Sequence, residues 1–265
     1  MEPWESQPLI LAYHSISSER QDGLAVRPQD FEWQIRWLAN HGYRSATLPA
    51  FIRGEIPEDE RVVLITFDDG YADNYTEAFP ILMKYGFTAT IFLVTNAVGQ
   101  EHVYWWDLPK LASTPDRRLF YPLNWEQIYQ MAKAGIAFGS HTCSHPRALT
   151  ELPREECWRE IYDSRAVLQQ KLGDEVASFC YPRGDLNPDV VGMVAAAGYS
   201  CAVVTPPRVG IPHSRYTMRR VSLYREYGRV LFRWMVTPLF RRNYEFFKRL
   251  RRVLVPGIGR QARSY

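Results

Sequence analysis

Short unbroken apolar runs alternate along this chain with stretches in which apolar positions recur at helical spacing. The first pattern predicts strands buried on both faces, the second amphipathic helices. The runs are Leu9-Ile10-Leu11-Ala12-Tyr13, Val62-Val63-Leu64-Ile65, and the segments 88–94, 136–139, 177–181, 199–204 and 218–221. Between them, Arg27-Pro28-Gln29-Asp30 opens a helix carrying Phe31, Ile35 and Leu38 on one side. Further helices are predicted at roughly 74–85, 124–134, 153–172 and 188–197, the longest with Cys157, Ile161, Ser164 and Leu168 in one stripe. Gly42, Gly86, Gly135 and Gly198 stand where these helices should stop. The order is a βα unit repeated about seven times, which predicts an α/β fold around a parallel sheet. One connection, 95–123, is too long for an ordinary loop, and Tyr104-Trp105-Trp106-Asp107 in its middle argues that it is ordered and functional.

Chemistry in βα-repeat folds collects at the C-terminal ends of the strands. His14, Asp68-Asp69, His141 with His145, and the segment Tyr181 to Arg183 all fall at predicted strand ends. A buried strand gains nothing from two acids at its tip, because unpaired buried charge is costly. One reading is a helix N-cap made by Asp69 or Asp73, for which a single aspartate would suffice. The other is functional. His141 and His145 stand four apart, close enough to share a cation, and imidazole and carboxylate are standard ligands of Zn²⁺ and other first-row divalent ions. A single histidine at a strand end would read as a hydrogen-bonded structural residue; an H-x-x-x-H beside a double aspartate points to a metal.

Thr66-Phe67-Asp68-Asp69-Gly70-Tyr71 followed by Ser140-His141-Thr142-Cys143-Ser144-His145 resembles the polysaccharide deacetylase family, the NodB-homology domain of carbohydrate esterase family 4. Tyr13-His14-Ser15-Ile16, Trp125-Glu126-Gln127, Phe179-Cys180-Tyr181-Pro182-Arg183-Gly184 and Gly198-Tyr199 agree with it, over roughly residues 9–222. The resemblance implies a distorted (β/α)7 barrel and a metal-dependent hydrolase that removes N-acetyl groups from a carbohydrate. It implies Asp69, His141 and His145 as metal ligands and Asp68 as general base, with the oxyanion held by the metal and the backbone N–H of Arg183 beside Tyr181. It implies a divalent metal, Zn²⁺ first, with Co²⁺, Ni²⁺ or Mn²⁺ as alternatives. The chain departs from the family where many members read F-R-P-P-Y-G: the arginine that orients the base is absent from 179–184, and Arg220 is the candidate substitute. The late W-x-x-D-W and L-x-H motifs are also missing, so the usual general acid has no counterpart; His14, at a strand end, is the candidate ahead of His213, which sits in a Pro-rich loop. Arg183 replaces the usual tyrosine, either as a solvated loop arginine or to recognise an acidic group on the substrate. Two alternatives stay open: another C–N amide hydrolase, or a catalytically weak glycan-binding module on the same fold.

With 265 residues, 46% of them hydrophobic, the chain can bury one substantial core. Cys143, Cys157, Cys180 and Cys201 show no C-x-x-C spacing and fit a reducing compartment. The first residues, Met-Glu-Pro-Trp-Glu-Ser, resemble no signal peptide, and the uncharged run 190–207 is broken by Gly192, Gly198 and Pro206-Pro207. The expectation is a cytoplasmic protein. Charge then divides the chain into a catalytic domain, 1–222, and an extension, 223–265. The net charge is +3, yet from Arg219 onward 13 Lys and Arg face only Glu226 and Glu245, a local balance of +11. Arginine interleaved with Phe, Trp, Leu and Tyr in 223–265 reads either as a barrel-packing helix with a solvated face or as a surface drawn to anionic membrane lipid. The second reading makes the protein peripheral to the inner face of a membrane. No recognition fold for nucleic acid accompanies the charge.

Overall fold

The computed structural model of the chain describes residues 8–56, 61–205 and 212–243. Its strands are parallel and form a ring: β1 (Leu9–Tyr13), β2 (Arg61–Phe67), β3 (Thr90–Leu93), β4 (Ala137–Ser140), β5 (Ser178–Cys180), β6 (Cys201–Val204), β7 (Met218–Arg219) and β8 (Val221–Ser222). β1 pairs with β2, and pairing then runs from each strand to the next as far as β7. β7 and β8 are two halves of one segment interrupted at Arg220. The first half pairs with β6 and the second with β1, which nearly closes the sheet into a barrel. This is the expected distorted (β/α)7 barrel.

The apolar runs form strands because both of their faces are covered. Leu9, Leu11, Tyr13, Val63, Ile65, Phe67, Ile91 and Leu93 lie in the layer between barrel and helices. Ile10, Leu64, Phe92, Cys180, Val203 and Met218 fill the barrel interior. The alternation of a strand assigns each residue to one layer or the other. The helices follow the predicted stripes. Pro28–Asn40 buries Phe31, Ile35 and Leu38, and Arg154–Leu172 buries Cys157, Ile161, Ser164 and Leu168. Trp125–Lys133 begins with a capping box in which Asn124 and Gln127 exchange side-chain-to-backbone hydrogen bonds.

Three local expectations change. The segment after the double aspartate opens as a π-helical turn, Asn74–Ala78, before the α-helix Phe79–Lys84. Asp73 does not cap it: its carboxylate instead accepts from the Ser15 hydroxyl and the Ile16 N–H. Tyr43–Ala46 adds a parallel strand at the start of β2, and Ser15–Ile16 pairs with Ala25–Val26; both pairs are too short to show a period in the sequence.

The described part of the extension packs onto the barrel's outer layer. Phe232, Met235 and Phe240, on the helices Arg229–Met235 and Pro238–Arg242, join the main core, and Phe232 sits edge-on to Trp33 and Trp37. Residues 244–265 lie outside the described residues. Among the described residues no helix is long and apolar enough to cross a membrane.

Candidate active site

The parallel ring delivers its chemistry to one end. The register of β1 against β2 sets Tyr13 beside Phe67, so His14 and Asp68 leave the barrel side by side, and Asp68 N–H donates to Tyr13 O at 2.9 Å. Alternation along β2 turns Leu64, Thr66 and Asp68 inward. By the same rule Asp69 should face out with Phe67. A left-handed turn at Asp69 (φ 68°) brings its side chain back, and Gly70 continues that turn at φ 64°. A Cβ on Gly70 would stand 2.6 Å from Leu93 Cδ2, so the turn needs glycine there.

His141 follows β4 in the same way, its N–H donating to Leu93 O at 2.9 Å. The chain folds back at Thr142 (φ 70°), whose Oγ1 accepts from His145 N–H at 3.0 Å, and His145 itself is left-handed (φ 55°). This reversal sets the two imidazoles 4.8 Å apart, centroid to centroid. Among the described residues, the non-glycine positions with positive φ are Asp69, Thr142, His145 and Arg183. Each such conformation costs about 1–3 kcal/mol and persists where the surroundings over-determine it. Asp69, Thr142 and His145 lie on the two turns that bring the carboxylate and the imidazoles together, and Arg183 lies on the loop after β5.

Asp69 Oδ1 lies 3.5 Å from His141 Nε2 and 3.8 Å from His145 Nε2. All three side chains are buried, and their ligand atoms lie within 4.8 Å of one another. His141 Nδ1 is 2.8 Å from Cys180 O; a proton on that nitrogen leaves the Nε2 lone pair directed at Asp69. Burial, reinforced by the Asp68 and Asp107 charges, pushes the Asp69 carboxyl well above its usual range. Burial pushes both histidines down, His145 furthest, where His141 adds to the effect. A carboxylate and two neutral imidazoles gathered in a buried space want a cation, and this donor set fits a divalent one.

A second grouping, Asp68, His141 and Cys180, also has its polar atoms within that distance. It fits a metal poorly. Asp68 is taken by Arg220, and burial raises the Cys180 thiol well above its usual range, so it stays protonated.

Arg220 is brought to Asp68 as a bidentate pair, with Nη1 to Oδ1 and Nη2 to Oδ2 both at 2.7 Å. Its remaining donors reach Thr205 Oγ1 (2.8 Å), Thr66 Oγ1 (2.9 Å) and Cys180 Sγ (3.1 Å). Burial opposes ionisation of Asp68, and the guanidinium outweighs it, holding the carboxyl well below the usual range. Cys180 stands in the strand position where many family sequences carry their arginine. Here the guanidinium reaches the carboxylate from the junction of β7 and β8, across the barrel interior.

His14 Nε2 lies 3.9 Å from Asp68 Oδ2 with its side chain 19% exposed. Burial, with Arg220 adding to it and Asp68 opposing, lowers its pKa to about 4. Its main chain is pinned by Asn74 Nδ2, which donates to His14 O at 2.8 Å. Tyr181 is not brought to this site. It follows Cys180 by one residue, so alternation sends it to the outer layer, where its hydroxyl donates to Tyr216 O at 2.9 Å. Arg183 lies on the loop after β5 with its side chain exposed, and its Nη1 donates to Arg147 O at 3.0 Å.

Residues from the long connection complete the site, joined by Tyr71. Tyr104 OH donates to Asp69 O (2.7 Å), Trp106 Nε1 to Tyr71 OH (3.0 Å), and Tyr71 OH to Asp107 Oδ2 (2.6 Å). Asp107 is paired with Lys110 (2.7 Å) and Arg20 (3.3 Å). The Trp106 ring lies 4.1 Å from that of His145. The long connection is thus a fixed aromatic wall beside the histidines. Its aromatic cluster was a visible signal, whereas Arg20 carried none.

A family model for polysaccharide deacetylase matches residues 55–202. YxkH of Bacillus subtilis, named as a polysaccharide deacetylase, is 33% identical over 218 residues, covering 81% of this chain and 70% of that protein. The poly-β-1,6-N-acetyl-D-glucosamine N-deacetylase of Staphylococcus aureus is 25% identical over 246 residues, covering 83% and 79%. The solved structure of Streptococcus pyogenes deacetylase PplD in complex with acetate superposes with a TM-score of 0.69 at 25% identity, covering 87% of this chain and 98% of that one.

Proposed function

We propose, from the premise that the chain belongs to the polysaccharide deacetylase family, how its own residues divide the work of removing an N-acetyl group from a saccharide. The observation that carries the reading is the division of the two aspartates. Asp69 faces His141 and His145, while Asp68 is held apart by Arg220.

Asp69, His141 and His145 would hold the divalent ion, and two imidazoles with one carboxylate favour Zn²⁺. When bound, such an ion polarises the acetyl carbonyl and lowers the pKa of the attacking water toward about 7. Asp68 is the general base and accepts the water's proton. Its depressed pKa keeps it ionised at every working pH and makes it release that proton readily. His14, neutral near pH 7, is next to Asp68 and is the group that takes the proton on to the leaving amine. The backbone N–H of Arg183, on the left-handed turn after β5, supports the oxyanion. Tyr181 has no part in this scheme, because its hydroxyl is committed to Tyr216.

The extension adds a second proposal, contact with an anionic membrane surface. Val230 and Leu239 are 82% and 60% exposed, and Arg229, Arg233 and Arg242 are exposed on the same short helices. Exposed apolar side chains on helices that also carry exposed arginines suit lipid headgroups better than water.

The test is acetate release from chitooligosaccharides and from β-1,6-linked N-acetylglucosamine oligomers. Activity should vanish on chelation, return with Zn²⁺ or Co²⁺, and fall by about 10²–10⁴-fold in Asp68→Asn. Metal-loaded protein that binds these saccharides without releasing acetate would instead make it a glycan-binding module.

A further inference from the structure

Two arginines share one tryptophan at the edge of the site. The Arg147 guanidinium lies 3.9 Å from the centre of the Trp105 ring, and that of Arg183 lies 5.7 Å from it. The two are tied to each other, since Arg183 donates to the Arg147 carbonyl. The left-handed backbone at Arg183 spends strain to present that side chain there. Trp105 packs edge-on against Trp106 at 5.3 Å, and Trp106 lies against His145. Trp105, which carries the pair, is therefore two ring contacts from His145, on the wall that a bound sugar would meet.

Both arginines are exposed, and among the described residues no carboxylate pairs with either. Two acids on neighbouring segments are engaged elsewhere: Asp185 accepts from the Thr150 N–H and hydroxyl, and Glu160 from the Ser144 N–H and hydroxyl. Arginines elsewhere in the chain, at 20, 53, 118 and 220, are paired with acids. Two like charges held on one ring with no counter-charge form an anion site. A guanidinium restrained beside a tryptophan ring loses less entropy when its fork grips two oxygens.

We infer that Arg147 and Arg183, mounted on Trp105, bind an anionic group of the substrate, so that the preferred substrate is an N-acetylated saccharide carrying a phosphate or a carboxylate close to the acetylated sugar. The inference rests on the deacetylase reading for the identity of the saccharide and names its substrate class. Neutral homopolymers of N-acetylglucosamine would leave the pair unfilled.

The full chain carrying Asp68→Asn allows binding to be measured without turnover. Three probes serve: N-acetylglucosamine, N-acetylglucosamine 1-phosphate, and a disaccharide of N-acetylglucosamine with a uronic acid. Calorimetry should give binding about tenfold or more tighter for an anionic probe than for the neutral sugar, weakening as salt is raised. Whichever anionic probe wins identifies phosphate or carboxylate. Adding Arg147→Gln and Arg183→Gln should erase the preference, and Arg147→Lys with Arg183→Lys, which keeps the charge and loses the fork, should keep part of it, a graded outcome that a merely structural role would not produce. Equal binding of all three probes, or a preference that survives the two glutamines, overturns the inference. Acetate release by the wild-type chain is read separately. Preference without acetate release leaves the anion site standing and sinks the deacetylase reading; acetate release without preference does the reverse.

Discussion

Arg220 decides how Asp68 behaves as a base. A buried carboxylate left alone would take up a proton, and the bidentate guanidinium holds it ionised instead. Removing Arg220 outright would strand that charge and cost about 3–5 kcal/mol of stability, so the informative change is Arg220→Lys. Lysine keeps one positive charge and loses the fork. The Asp68 pKa, now depressed, should rise when the second hydrogen bond is lost, so the protonated, inactive form persists to higher pH. The acid limb of kcat/KM against pH should move upward by about 1–2 units, and kcat should fall by about tenfold at neutral pH. An acid limb in the same place as wild type would show that Arg220 does not set the charge of the base.

At the level of elements, strand alternation sorts the site. It turns Asp68, Cys180 and Arg220 into the barrel and sends Tyr181 out with Phe179. That rule is present in the sequence: one residue beyond Cys180, the Tyr181 side chain falls on the outer layer with Phe179, and its hydroxyl bonds to Tyr216 O. Strand ends and helix stripes were legible because each leaves an apolar period, and the double aspartate and paired histidines were legible as motifs. The Arg20–Asp107–Tyr71 network was not, because its members lie on separate loops and meet only through the closed topology. The return of Asp69 was equally hidden: it depends on one positive φ, which an aspartate does not announce. Close approach between strands has its own marker at Gly139 in β4. A Cβ there would meet Phe92 Cε1 and Ser178 Oγ at 2.6 Å, in the barrel interior two residues before His141. Gly139→Ala should therefore destabilise the fold by about 1–3 kcal/mol through overpacking. Thermal unfolding checks this, and an unchanged midpoint would mean that β4 can shift away from β3 and β5 without cost.

Across the whole molecule, charge is divided between two parts. Residues 1–222 carry a formal balance of −6 and residues 223–265 one of +9, so the two parts of the sequence are oppositely charged. The described extension is anchored, not free: Phe232 and Phe240 are buried, and Arg229 and Arg233 lie over Trp33 at 5.1 and 5.5 Å. Anchoring fixes which side chains remain outward, and these include Val230 and Leu239. An anionic bilayer would gain about 1 kcal/mol for each arginine near its surface, together with the burial of those two side chains. The wild-type chain should co-sediment with vesicles containing phosphatidylserine and not with phosphatidylcholine alone. Val230→Asp with Leu239→Asp, two exposed positions outside the core, should reduce that binding by about tenfold or more by removing apolar contact and adding repulsion. Binding that ignores lipid charge, or that survives both aspartates, would leave the extension as packing for the barrel and remove the membrane from the protein's setting.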